Sequence, residues 1–330
     1  MGYSVGIGLT NDCNLNCAHC YRETGQIWQI SLDQVKQICE AIPIDSIGMG
    51  TGENALHPEF IPIVEYLHDR GIKLSMASNG YSLTTIPEEI LSLFRDVEVS
   101  IDYPTQMEQD NWRGEGNWEL VHEAIGRCHQ LGIDVSILAT LMKSNYDKMD
   151  KIVGLARKSG VNLRVNAYQA VKTDVFLPNY EEFWEGYRRL FADGLAVSCT
   201  EPVVRAVMGL DQVQSPCGHH SIRFNPRGQV IPCVYWPTDS ASVPNLGDLT
   251  RLGDSIIEDD AFLFACQVPE SASDCPCQGG CASRRAIDQN LNSHDYYCPW
   301  VRGDYIELEW KAGPNKELMR SNNVCTTIVV

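Results

Sequence analysis

The sequence has no apolar run near the ~20 residues that a membrane-spanning helix needs. No charged and then apolar stretch, as in a signal peptide, precedes Val5. A cytoplasmic protein without a membrane partner is therefore expected. Positive charge is scarce as well: 26 Lys and Arg stand against 43 Asp and Glu, for a net charge of -17. That field repels a phosphate backbone over most of the surface, so nucleic acid is not the expected partner. Internal repeats and low-complexity tracts are absent. At ~150 residues per domain, 330 residues make about two domains, enough to bury a core without disulfide support.

What the chain has in excess is cysteine, 14 in all. A reducing compartment argues against seven disulfides, and packing alone does not need so many, so metal or cluster ligation is the better account. Cys13, Cys17 and Cys20 open the chain, Cys39 and Cys128 stand alone, and nine more follow residue 198. This distribution implies two ligand fields, one per domain.

Up to about residue 195, short β-rich runs alternate with amphipathic helical patterns, as in consecutive βα units around a parallel sheet. Strands are expected at 3–9, 46–49, 73–77, 97–101, 135–140 and 162–166. Helices are expected at 32–42, 58–70, 118–131, 146–159 and 180–192, with a short one opening at Pro87. Ser31 and Gln34 form a capping box, and Leu32, Val35, Ile38, Cys39 and Ile42 share one helical face, which makes Cys39 a core residue. Cys128 rides a helix in the same way. Six βα units are two short of a closed barrel. After residue 195 periodicity fades, and Gly, Pro, Asp and Cys dominate. The expected fold is therefore α/β, a partial (β/α)6 TIM-like barrel over 1–198 followed by a small cysteine-rich domain over 199–330.

Cys13, Cys17 and Cys20 are spaced C-x3-C-x2-C in the loop after the first strand, at the sheet edge where such folds place their active sites. Three thiolates leave one metal position open for water, substrate or a cofactor. A structural zinc site closed by a distant fourth ligand such as His19 is the other reading of this spacing.

These residues resemble the signature of the radical S-adenosylmethionine (SAM) superfamily, in which an often aromatic residue, here His19, precedes the last cysteine. Thr51-Gly52-Glu53-Asn54 resembles the family's Gly-Gly-Glu-Pro element, which receives the SAM amino group, and departs from it at Thr51 and Asn54. Ser78-Asn79, Ser100 with Asp102, and Arg113 resemble elements that contact the rest of SAM. The resemblance implies a 4Fe-4S cluster on Cys13, Cys17 and Cys20, with His19, Thr51, Gly52, Glu53, Asn54, Ser78, Asn79, Ser100, Asp102 and Arg113 around SAM. It further implies that Glu53 and Asp102 bind SAM directly.

Cys217, Gly228 and Cys233 read C-x10-G-x4-C, and Cys266, Cys275, Cys277, Cys281 and Cys298 follow. This resembles the SPASM extension of radical SAM peptide maturases, which carries auxiliary 4Fe-4S clusters. Eight residues separate Cys266 from Cys275 and one separates Cys275 from Cys277, a departure from the usual C-x2-C-x5-C-x3-C. By position in that family, Cys217, Cys233 and Cys281 would hold one auxiliary cluster, with Cys199 or Cys325 as the fourth ligand or an open site facing the substrate. Cys266, Cys275, Cys277 and Cys298 would hold a second. Cys199 or Cys325 is also the candidate hydrogen donor to a peptide radical. A zinc-ribbon reading of the same cysteines remains open, and Tyr235 and Trp236 are expected as core aromatics.

The function implied is a maturase that abstracts hydrogen from a residue of a ribosomally made precursor peptide, giving a crosslink, an epimer or a partial excision. A sulfatase-maturase-like oxidase and a non-catalytic iron-sulfur or zinc protein are the alternatives. With the first strand at Tyr3, a leader-recognition domain is not expected ahead of the cluster loop. The implied partners are a separate leader-recognition protein and a flavodoxin or ferredoxin reductant.

Overall fold

The computed structural model describes residues 2–210, 217–239, 242–313 and 325–330. Ten strands run in chain order: β1 Tyr3–Gly8, β2 Ile44–Gly50, β3 Lys73–Ser78, β4 Asp96–Ser100, β5 Asp134–Leu141, β6 Asn162–Ala167, β7 Ala196–Cys199, β8 Ser221–Phe224, β9 Val230–Ile231 and β10 Thr326–Val329. They form one sheet in the order β7-β10-β6-β5-β4-β3-β2-β1-β8-β9. Each neighbour pair from β1 to β6 is parallel, so the expected six-unit α/β partial barrel is present.

Alternation within the strands decides what faces the core. Val5 and Ile7, Ile47 and Met49, Leu74 and Met76, and Val97 and Val99 are buried in the hydrophobic core. The residues between them are small or polar: Gly6, Gly48, Ser75 and Glu98. On that other face Arg164 pairs with Glu98 at 3.1 Å, and a Cβ at Gly6 would lie 2.3 Å from the Arg223 guanidinium.

The Ser31–Gln34 capping box forms as the residue types require, and Gly132 ends the Asn117–Leu131 helix in the left-handed region at φ 69°. Two helices carry no periodic signal. Tyr81–Thr85 is little more than one turn. Gln106–Arg113 buries only Gln109, so it has no apolar stripe to betray it. It stands on its Thr105 cap and on Gln109, whose side chain bonds Asp102 N, Tyr103 N, Ser100 O and Asn117 Oδ1.

The cysteine-rich half also contributes to the sheet, which the loss of periodicity after residue 195 conceals. β8 lies parallel to β1, and β10 runs antiparallel between β6 and β7. Each is four residues long, too short to show a period of two. Within this half a buried ion network ties the two ends of its chain: Arg284 bonds Glu201, ahead of the Pro202–Val207 helix, and Asp295 at 2.5 Å. Beside it Tyr297 stacks on Phe183 at 3.7 Å and donates its hydroxyl to Pro178 O. Among the described residues no helix is long and apolar enough to cross a membrane.

Candidate active site

The loop after β1 is wound by its own polar side chains. Asn11 is buried; its Nδ2 donates to Glu23 O and Gln26 O, and its Oδ1 accepts from Trp28 N at 2.6 Å. Arg22 clamps the same turn through Asn11 O and Leu15 O. Cys13, Cys17 and Cys20 are thereby left half-buried around a chamber of about 250 Å³ at the carboxyl ends of the barrel strands. Leu15 N and Asn79 Nδ2 both donate to Cys13 Sγ, at 3.5 and 3.6 Å. Burial pushes the Cys17 thiol up to about 11 and raises that of Cys13, so the protein alone keeps them as thiols and a bound cation must hold the thiolates.

The three sulfurs do not meet the condition for gripping one ion, all within 4.8 Å of one another. A four-iron cluster, which gives each thiolate its own iron, suits this wider spread. Donors aimed at Cys13 fit the same group, since hydrogen bonds to cluster sulfurs set its potential.

The ends of β2, β3 and β4 close the chamber. Thr51 and Gly52 both have positive φ, 70° and 69°. A Cβ at Gly52 would sit 2.4 Å from Asp12 O, so only glycine lets this turn approach the cysteine loop. Glu53 N then bonds Asp12 O at 2.7 Å. The Glu53 carboxylate is buried and accepts from Ser78 Oγ at 2.6 Å, Asn79 N at 2.9 Å and Ser82 N at 2.9 Å. Glu53 thus holds the β3 loop while it also lines the chamber.

Asp102 is held by partners of its own. Its carboxylate is fully buried behind Arg113, which bonds it through Nε and Nη2 at 2.8 and 2.7 Å, while Thr140 N takes the other oxygen at 2.9 Å. Burial alone would raise its pKa, but Arg113, His19 and the Thr140 amide hold it below the usual carboxylate range. Asp102 does not line the chamber, whereas Arg113 and Ser100 do. Asn54 is also absent from the lining; its side chain bonds Ala77 O under the loop. His19 does line it, stacked on Trp112 at 5.2 Å, and burial drives its pKa to about 4, leaving it neutral. Thr51, Gly52, Glu53, Ser78 and Asn79 complete the expected set at the chamber.

Several chamber residues escaped the sequence reading. Tyr168 and Gln169 follow β6, and Tyr21 follows Cys20; only their positions at strand and loop ends could have pointed to them. Tyr235, expected as a core aromatic, instead lines the chamber and meets Tyr21 edge-on at 5.1 Å. Tyr21 bonds Thr51 Oγ1 at 2.9 Å, and burial pushes its phenol up to about 12.

The later cysteines fall into two groups. Cys325 hydrogen-bonds the sulfurs of Cys217 and Cys281, and Cys233 feels the field of those two. Cys275, Cys277 and Cys298 form a separate knot, all within 4.8 Å. Cys266, expected in that second group, instead donates to Cys217 O at 3.2 Å. The reason is that it ends the Asp260–Cys266 helix, which points it at the Cys217 turn. Cys199, the other candidate ligand, is buried on β7 with its sulfur 3.3 Å from Thr327 Oγ1. Neither Cys199 nor Cys325 lines the chamber. Cys39 and Cys128 are buried in the core as expected.

Residues 7–156 match the Radical SAM superfamily. The chain is 25% identical over 310 residues to the mycofactocin maturase MftC of Mycolicibacterium smegmatis, covering 84% of this chain and 77% of that one. It is 24% identical over 332 residues to the antilisterial bacteriocin subtilosin biosynthesis protein AlbA of Bacillus subtilis, covering 91% and 71%. The fold is that of anSMEcpe with bound AdoMet and Cp18Cys peptide, with a TM-score of 0.68 at 18% identity over 91% of this chain and 94% of the other. It is equally that of Streptococcus suis SuiB bound to precursor peptide SuiA, with a TM-score of 0.68 at 14% identity over 90% and 76%. The cofactors of that superfamily are a 4Fe-4S cluster and SAM, and the residues at the chamber fit them.

Proposed function

We propose that this chain is a radical SAM enzyme with a SPASM-like cysteine extension, which matures a ribosomally made precursor peptide by removing hydrogen from one of its carbons. One observation carries the reading: three half-buried cysteines and the Arg113 side chain face a single chamber at the carboxyl ends of the strands. The names of MftC as a maturase and AlbA as a biosynthesis protein support a peptide as the material worked on.

In this reading Cys13, Cys17 and Cys20 hold the cluster. His19, Ser100, Arg113 and the Thr51–Gly52 turn face SAM, and Asn79 donates to the cluster ligand Cys13. Glu53 and Asp102 are positioning residues, acting through the Ser78–Asn79 loop and through Arg113. When bound, cluster and SAM supply a one-electron cleavage whose carbon radical takes hydrogen from an unactivated C–H bond. The chain's own task is to hold the target carbon there and keep water out, with Tyr21, Tyr168 and Tyr235 as protonated walls. Cys217, Cys233, Cys281 and Cys325 hold an auxiliary cluster. The barrel unit is 1–198 and the SPASM-like unit 199–330, and the partners are a separate leader-recognition protein and a flavodoxin or ferredoxin.

Anaerobically reduced protein given SAM should release 5'-deoxyadenosine, faster when its precursor peptide is added. Protein that binds iron yet releases none over hours belongs instead to the non-catalytic binding class.

A further inference from the structure

We infer that Cys275, Cys277 and Cys298 form a mononuclear site, three thiolates around one zinc ion, rather than a second auxiliary iron-sulfur cluster. The first support is spacing. The sulfurs lie 3.1 Å (Cys275 to Cys277), 3.3 Å (Cys275 to Cys298) and 3.1 Å (Cys277 to Cys298) apart. A tetrahedral zinc with bonds of about 2.3 Å holds its sulfurs about 3.8 Å apart, so an ion enters with a small outward shift of each. A four-iron cluster gives every thiolate a different iron and needs them much farther apart, as the Cys13 loop allows.

The second support is that the backbone pins this spacing. Cys275 and Cys277 sit on consecutive tight turns, with Gln278 N bonded to Cys275 O at 2.8 Å and Gly280 N to Cys277 O at 2.9 Å. Cys298 arrives on a segment tied to the same turns: Asp295 N bonds Gly279 O, Cys281 N bonds Asp295 Oδ2 at 2.8 Å, and Cys298 N bonds Asp295 O at 2.9 Å. A Cβ on Gly280 would lie 2.3 Å from Asp295 Cβ, so the two segments touch at the closest approach that glycine permits. These contacts hold the three Cα positions together, so the sulfurs could reach cluster distance only by swinging away from one another.

The third support is the ligand count. Cys266 is directed at Cys217, and its Sγ would lie 3.1 Å from a Cβ on Gly218, again a place only glycine leaves free. Among the described residues, no histidine or carboxylate joins the three sulfurs within 4.8 Å. Three soft thiolates favour zinc over harder divalent ions. The fourth position falls to solvent on the side of Cys275, the half-exposed member; Cys277 and Cys298 are buried.

The test is metal content and zinc X-ray absorption on the full chain, purified anaerobically and then reconstituted with iron and sulfide. We expect about one zinc and about eight irons per chain, four for each of two clusters. The zinc edge should show three sulfurs and one lighter atom. Replacing Cys275, Cys277 and Cys298 by Ser should remove the zinc and leave the iron count unchanged. About twelve irons with no zinc, or a loss of about four irons in the triple variant, would overturn the site. The absorption spectrum of the unmodified protein decides the matter even if the variant fails to fold.

Discussion

Two regions of this molecule each gather three cysteines, and they differ in what fixes the sulfurs. At the barrel mouth, Cys13, Cys17 and Cys20 ride one loop wound on Asn11 and Arg22, and a donor to Cys13 comes from Asn79 at the end of another strand. In the extension, Cys275, Cys277 and Cys298 are tied by turns directly against each other. The first arrangement is wide and faces a chamber; the second is narrow and mostly buried. Ligand type and ligand count are the same, so the backbone between the ligands selects the inorganic partner.

The hardest way to break the comparison is to remove the wide site. Replacing Cys13, Cys17 and Cys20 by Ala should abolish 5'-deoxyadenosine formation, measured by chromatography. The metal at the narrow site should stay bound. Loss of both together would mean that the two regions are not independent.

A large effect is also expected at the buried ion network beside the narrow site. Arg284→Met leaves Glu201 and Asp295 as buried carboxylates without their cation, at a cost of about 3–5 kcal/mol. Calorimetry should show the loss, and limited proteolysis should cut the extension before the barrel. An unchanged melting profile would show that the ion network does not hold the extension together.

Glu53→Ala should act at the wide site and less strongly. It strands buried donors of Ser78, Asn79 and Ser82, at about 1–3 kcal/mol for each group left unpaired. SAM affinity, followed by anaerobic titration, should fall about tenfold, equivalent to 1.4 kcal/mol. Glu53→Gln keeps an acceptor and should recover much of it; if Gln were as damaging as Ala, a direct contact between the Glu53 charge and SAM would be restored to consideration.

The smallest effect sharpens the contrast rather than breaking it. Asn79→Leu removes one N–H donor to Cys13 while leaving every cysteine in place. The reduction potential of the first cluster should move negative in an EPR-monitored titration, since a sulfur with fewer donors stabilises added negative charge less well. An unmoved potential would reduce the Asn79 contact to a loop brace.

The barrel was legible because its units carry periodic signals. Val5 and Ile7 alternate with glycine, and Ser31 and Gln34 announce a helix start. The Gln106–Arg113 helix was not legible, since it buries only Gln109 and stands on side-chain hydrogen bonds instead. The four-residue strands β8 and β10 were hidden for a related reason, being defined by partners more than 150 residues away in β1 and β6. At the site, the cysteine spacing announced the loop, whereas the partners of Glu53 and Asp102 come from other strands.

The sequence by itself determined that three thiolates would meet after the first strand, that a parallel α/β sheet would carry them, and that a second cysteine field would follow. Local spacing and local periodicity suffice for those, because the residues concerned are neighbours along the chain. Only the tertiary structure decided that Asp102 stands behind Arg113, that Cys325 joins Cys217 and Cys281 while Cys199 does not, and that Cys266 leaves the knot. Each of these turns on distances between segments that packing brings together, and spacing along the chain carries no measure of them.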